Sequence, residues 1–94
     1  TVLFEQAVDG ILVFDGEGLV RSCNPRAAAL LGQPASALLD SPLRRWVDPP
    51  AAGFTVGQHE SRARRGDAQF PCELTISRLP ARGAESRWVM VLRD

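Results

Sequence analysis

The sequence predicts an α+β domain: a five-stranded antiparallel sheet in the spatial order 2-1-5-4-3, short helices on one face, and an N-terminal helix ahead of it. Three observations carry this. Ile11–Phe14 and Trp88–Leu92 are unbroken apolar runs, which suit interior strands covered on both faces. Phe70, Cys72, Leu74 and Ile76 alternate with Pro71, Glu73, Thr75 and Ser77, the period of a strand with one apolar face. Asn24-Pro25 and Ser41-Pro42 are helix starts, and both fall between the two groups of strands.

Each element follows in order. Leu3 and Ala7, like Phe4 and Val8, are spaced by one helical turn, so the chain opens with a short helix that Asp9-Gly10 ends. Ile11–Phe14 is the first strand. Asp15-Gly16-Glu17-Gly18 reads as a hairpin turn, and it is too short for a calcium loop. Leu19–Cys23 is shorter and more polar, as an edge strand should be. Asn24 can cap a helix whose apolar face is Ala27, Leu30 and Leu31, and Gly32 closes it. Pro34–Leu39 gives a further turn or two. Ser41-Pro42 opens a third helix with Leu43, Trp46 and Val47 as its stripe, and Asp48-Pro49-Pro50 stops it.

Ala51–Gly57 is loop-like. From Gln58 the pattern alternates, with Glu60, Arg62 and Arg64 on one face and Ser61 and Ala63 on the other. Arg65-Gly66-Asp67 turns the chain into the Phe70–Ser77 strand. A second turn region, Pro80–Glu85, leads to the last strand, Arg87–Arg93. The two apolar strands are first and last in sequence, so burial makes them central neighbours. Short connections then place the second strand beside the first and the fourth beside the fifth. The third becomes the far edge.

Composition narrows the function. The chain has 94 residues, enough for one domain. At 45% hydrophobic and 23% charged residues, it has the apolar material to offset chain entropy, which argues against disorder. No apolar run approaches the roughly 20 residues of a membrane helix, and no signal peptide is visible. Eleven arginines balance 11 acidic residues, so the basic excess of a nucleic-acid binder is missing. Cys23 and Cys72 match no zinc spacing and read as two buried thiols in a reducing compartment, hence a cytoplasmic location. The chain starts at Thr1 and stops at Asp94 directly after an apolar strand. Residues 1–94 are therefore expected to be a single domain excised from a longer chain.

No catalytic set emerges. His59 is the only histidine, and with scattered serines it assembles no triad. There is no phosphate-binding glycine loop. Arg65-Gly66-Asp67 spells an adhesion tripeptide but is explained by a turn with Gly66 at positive φ. Glu60, Arg62, Arg64 and Glu73 are placed for cross-strand charge pairing, and Arg64 and Arg65 for a solvated edge.

The order of elements resembles the PAS (Per-Arnt-Sim) sensor domain, and specific segments agree. DGILVFDGEGLVRSCNPRAAALLG at 9–32 is similar to the start of bacterial PAS domains. RARRGDAQFPCELTISRLP at 62–80 resembles their second hairpin. RWVMVLRD at 87–94 resembles their last strand, with Asp94 matching the first residue of an Asp-Ile-Thr ending. The resemblance spans essentially the whole chain. It implies a sensory and dimerisation module that relays ligand or conformational state to an attached effector: a histidine kinase, a diguanylate cyclase or a transcription regulator. The domain itself would not be an enzyme. The alternative is a haem- or flavin-binding redox or gas sensor.

Two departures bear on the cofactor. Asp40 stands where a glycine is usual. The segment from Pro49 to Gly57 is short, so the helix that walls the family's ligand pocket is reduced. His59 falls at the start of an edge strand rather than on that helix, and Cys23 lies outside the flavin-type cysteine motif. The expectation is therefore no cofactor. A small molecule, if one binds, would sit between sheet and helices near Val13, Cys23, Leu31, Trp46, Leu74 and Met90. The resemblance also implies a homodimer through Leu3, Phe4, Ala7 and Val8. It implies a signal exit at Arg93 and Asp94, where the matching aspartate bonds near the exit. No direct nucleic-acid or membrane contact is expected.

Overall fold

The computed structural model describes residues 9–80 and 86–94. The expected N-terminal helix lies outside the described residues. Five strands form one antiparallel sheet: β1 (Gly10–Asp15), β2 (Val20–Cys23), β3 (Gly57–Arg65), β4 (Ala68–Leu79) and β5 (Arg87–Arg93). Their order is β2-β1-β5-β4-β3, as burial and short connections required. Between β2 and β3 come α1 (Pro25–Leu31), α2 (Ala35–Leu38) and a 3-10 turn (Leu43–Arg45). The third helix is thus only one turn. Asp48 N–H, which a longer helix would need, donates instead to the Arg62 carbonyl of β3 at 2.9 Å, and Pro49-Pro50 follow, so the helix cannot extend.

The helices cover one face of the sheet. That face contributes Leu12, Phe14, Ala63, Cys72, Leu74, Ile76, Met90 and Leu92, all buried. Ala27, Leu30, Leu31, Leu38, Leu43 and Val47 close over them. Fully burying a Leu or Ile stabilises by about 1.5–3 kcal/mol relative to exposure, so this layer supplies most of the driving force. The approach is tightest at Gly10. A Cβ there would lie 3.0 Å from Ala27 Cα, so the absent side chain lets α1 sit directly on the start of β1.

The opposite, outer face carries Ile11, Val13, Val89 and Val91, each half-buried, and then Thr75, Ser77, Glu73 and Glu60, all exposed. The polar face of β4 follows its alternation closely. Pro71 fits because β5 pairs with β4 only from Glu73 onward, so its missing N–H faces no partner strand.

The free edge of β3 is half covered. Asp48 N–H donates to the Arg62 carbonyl and Arg64 N–H to the Trp46 carbonyl, both at 2.9 Å. This shields part of a strand edge that would otherwise invite pairing. Arg64 and Arg65, expected to form a solvated edge, also make specific ties. Arg64 pairs with Asp48 at 2.5 Å. Arg65 Nε donates to the Leu30 carbonyl at 2.9 Å and its guanidinium lies over Phe70. Together they fasten the end of α1 and the segment after the 3-10 turn to β3. The pairing expected of Glu60, Arg62 and Glu73 does not form among the described residues; the register sets Glu60 opposite Glu73.

Candidate functional site

Asn24 positions the inner layer. Its side chain is 1% exposed. Oδ1 accepts from Ala27 N–H, as an N-cap should, and also from Ile11 N–H, each at 2.9 Å. Nδ2 donates to the Asp9 carbonyl at 3.1 Å. One amide therefore fixes the start of α1 to the start of β1.

Five of the six residues expected around an inner ligand do face the helix side. Leu31, Leu74 and Met90 are fully buried, while Cys23 and Trp46 pack against the same core. Trp46 is held by Nε1 donating to Ser41 Oγ at 2.8 Å, and Ser41 Oγ donates in turn to the Leu38 carbonyl at 2.6 Å. Val13 is a correction. It pairs with Val89 on the outer face, so a molecule between sheet and helices would not meet it. Burial pushes both thiols up, Cys72 to about 11, so both are protonated at neutral pH and neither is a ready nucleophile.

Open space on the inner side lies at one end of the sheet. A cleft of about 410 Å³ is lined by Phe14, Gly16, Phe54, Val56 and Trp88, with Thr55, Asp15 and Gly18 at its margin. Phe14 stacks on Trp88 with centroids 5.8 Å apart and planes 15° from parallel, and Phe54 tilts onto Phe14 at 6.1 Å. Val56 is 61% exposed. The only ionisable group in this lining is Asp15, and its carboxylate is already occupied: Glu17 N–H and Leu19 N–H donate to Oδ1, Arg21 Nε to Oδ2. The cleft therefore offers aromatic faces and no free charge. The sequence places Phe54 in the loop-like Ala51–Gly57 stretch, and the structure packs it onto Phe14. The signal that could have found it is a lone aromatic among Pro, Ala and Gly, which has no reason to be there unless it packs.

Arg93, expected at a signal exit, lies against Asp9, directly ahead of β1. Arg93 forks onto Asp9, Nε to Oδ1 at 3.3 Å and Nη2 to Oδ2 at 2.9 Å. Asp94, expected at a signal exit, is exposed, and the bonded residue beside it is Arg93. Leu3, Phe4, Ala7 and Val8 lie outside the described residues. His59 Nε2 donates to the Thr55 carbonyl at 2.7 Å, a local tie at the start of β3. Asp15-Gly16-Glu17-Gly18 and Arg65-Gly66-Asp67 are turns. Among the described residues no three His, Cys, Asp or Glu side chains converge on a metal-sized site, and no helix is long and apolar enough to cross a membrane.

The fold of this chain is shared with known proteins. The family model described as "PAS domain" matches residues 1–66. The chain belongs to the PAS domain family. Among solved structures it is similar to the PAS domain of an HTR-like protein from Haloarcula marismortui, with 28% identity and a TM-score of 0.83 over 99% of this chain and 91% of that one. It also resembles a PAS domain from a two-component sensor histidine kinase, with 14% identity and a TM-score of 0.86 over 98% and 89%. A third is the PAS domain of nitrogen regulation protein NR(II) from Vibrio parahaemolyticus, with 14% identity and a TM-score of 0.78 over 98% and 94%. The last two identities speak to the fold alone. Comparison with curated proteins yields no significant match.

Proposed function

We propose that this domain is a sensory and dimerisation module that passes a conformational state to an attached effector through β5. The observation that carries the reading is the place of β5. It stands mid-sheet, pairs with β1 and β4, packs Met90 and Leu92 into the core and sets Val89 and Val91 on the outer face. Repacking on either face must therefore move it, and it ends at Arg93, directly before Asp94. Membership of the PAS family supports the same reading, and the similar domains named above include those of a sensor histidine kinase and a nitrogen regulator. The domain works by binding and relay rather than by catalysis.

The reading carries no haem or flavin. What supports this is the inner layer, filled by Leu12, Leu31, Leu74, Met90 and Leu92, and the lone histidine tied to a carbonyl on β3. A small uncharged molecule would instead use the aromatic cleft. Dimerisation would run through Leu3, Phe4, Ala7 and Val8, as the family resemblance implies.

The deciding experiment uses the longer protein that carries the domain, with effector output as readout. Asp94→Ala is expected to change output while the domain keeps its stability. Phe4→Asp is expected to convert dimer to monomer in light scattering. Unchanged output in both variants overturns the relay. Stoichiometric visible absorption in the purified protein overturns the cofactor-free reading.

A further inference from the structure

A row of charges crosses the outer face at its exit end. The register sets Glu60 opposite Glu73, and Glu73 opposite Arg93. Arg93 then forks onto Asp9, the residue just ahead of β1. Arg93 thus stands between two carboxylates on its two sides, and only Asp9 is bonded.

Glu73 has no ion pair among the described residues and faces a like charge directly across the ladder, an unfavourable arrangement. The Asp9 hydrogen bond and charge hold the Arg93 guanidinium pKa up, and the Glu73 charge adds a smaller contribution through space. A groove of about 430 Å³ opens between the two, lined by Gln58, Glu60, Glu73, Thr75, Val91 and Arg93. The Arg93 side chain is 62% exposed, so it has room to swing. An exposed ion pair favours its closed form by no more than about fivefold. Moving Arg93 to Glu73 gives up the fork but relieves the Glu60–Glu73 repulsion. The two arrangements are therefore close in free energy, as a switch requires.

We propose that Arg93 is a two-position latch: it grips Asp9 in one state of the domain and Glu73, its partner across the β4–β5 ladder, in the other. The Asp9 carbonyl is held by Asn24 Nδ2, so the carboxylate end of the latch stays in place and Arg93 is the part that moves. Entry and exit are then coupled through one guanidinium. The latch gains its regulatory meaning from the proposed relay, but its two positions exist or fail in the 94-residue chain alone.

Nitrogen-15 NMR of the arginine Nε–H groups in that chain tests it. In Asp9→Asn the Arg93 Nε–H signal is expected to shift yet stay protected from water exchange, because Glu73 accepts it. In Asp9→Asn with Glu73→Gln the protected signal is lost. Loss of the signal in Asp9→Asn alone overturns the latch. Glu60→Gln gives a second reading that leaves Asp9 intact. Removing the like charge beside Glu73 draws the resting population toward Asp9 and shifts the Nε–H resonance. An unmoved resonance there also overturns the proposal. Both results leave the effector-output experiment untouched, so the latch and the relay can fail separately.

Discussion

Asp40 sits at φ +65° with its carboxylate 2.6 Å from Arg21 Nη1. It is the one non-glycine residue at positive φ among those described. Asp tolerates this region better than most residues, and its backbone N–H donates to the Val20 carbonyl at 2.7 Å, which holds the turn. The aspartate therefore holds a backbone shape that glycine adopts most easily, and adds a tie to Arg21 on β2. Arg21 bridges onward to Asp15, so two turns share one cation.

From this follows a contrast at one position. Asp40→Gly is expected to change stability by less than about 0.5 kcal/mol, since relief of backbone strain offsets loss of an exposed pair. Asp40→Val, a β-branched residue in the same conformation, is expected to cost about 1–3 kcal/mol. Urea unfolding of the two variants checks it. Equal loss in both would assign the role to the carboxylate rather than the backbone.

Asn24→Ala removes a cap and the tie between α1 and β1 in a buried place. The expected cost is about 2–4 kcal/mol, above the usual cap value of about 1, because Ile11 N–H and the Asp9 carbonyl lose their partner as well. Asn24→Asp keeps the acceptor for both N–H groups and should lose less. A cost below that of an ordinary cap would show that the β1 contacts contribute little.

Trp88 is half-buried rather than fully enclosed, with Phe14 stacked on its ring and Arg78 5.7 Å from the ring centroid. The expected cost of Trp88→Ala is about 2 kcal/mol, roughly half that of a wholly buried aromatic. Trp88→Phe should retain most of the stability. Chemical denaturation and the loss of near-ultraviolet circular dichroism from the stacked rings measure both.

Stability should fall at acid pH through Asp15. Burial alone would raise its carboxyl, but hydrogen bonds from Leu19 N–H, Arg21 and Glu17 N–H overcome this and hold it below the usual carboxylate range. A carboxyl lowered in the folded state stabilises above its unfolded pKa of about 3.9, and that contribution is lost as pH falls through the folded value. Asp15→Asn is expected to flatten the acid limb of urea midpoints measured below about pH 4. An acid limb unchanged in that variant would assign the dependence to other carboxylates.

The strand order was legible because β1 and β5 carry the two unbroken apolar runs, and only a central pair needs them. The same feature hid the facing of Val13. A run without alternation does not say which residues point inward, and register alone separates Val13 from Leu12 and Phe14. Alternation made β4 readable along its middle, although its ends extend to Ala68 and Leu79. The work of Arg64 and Arg65 was not legible. A guanidinium that donates to Leu30, 35 positions earlier, leaves no periodic trace. The aromatic cleft was missed in the same way, since Phe54 gains its meaning only when folding brings it to Phe14. What the resemblance implied for Leu3, Phe4, Ala7 and Val8 falls outside the described residues.

Gly10 and Leu92 are partners in the β1–β5 ladder, so the chain enters and leaves the sheet about one strand spacing apart, near 5 Å. A polypeptide that continues from both ends is barely displaced by the whole fold between them. To its flanks the domain is a closed detour, like a bead on a loop of thread. A twist of one end is felt at the other as torque across a short gap, and not as a push along a rod. The domain therefore suits insertion between two segments that must stay side by side, and would serve poorly as a spacer that holds them apart.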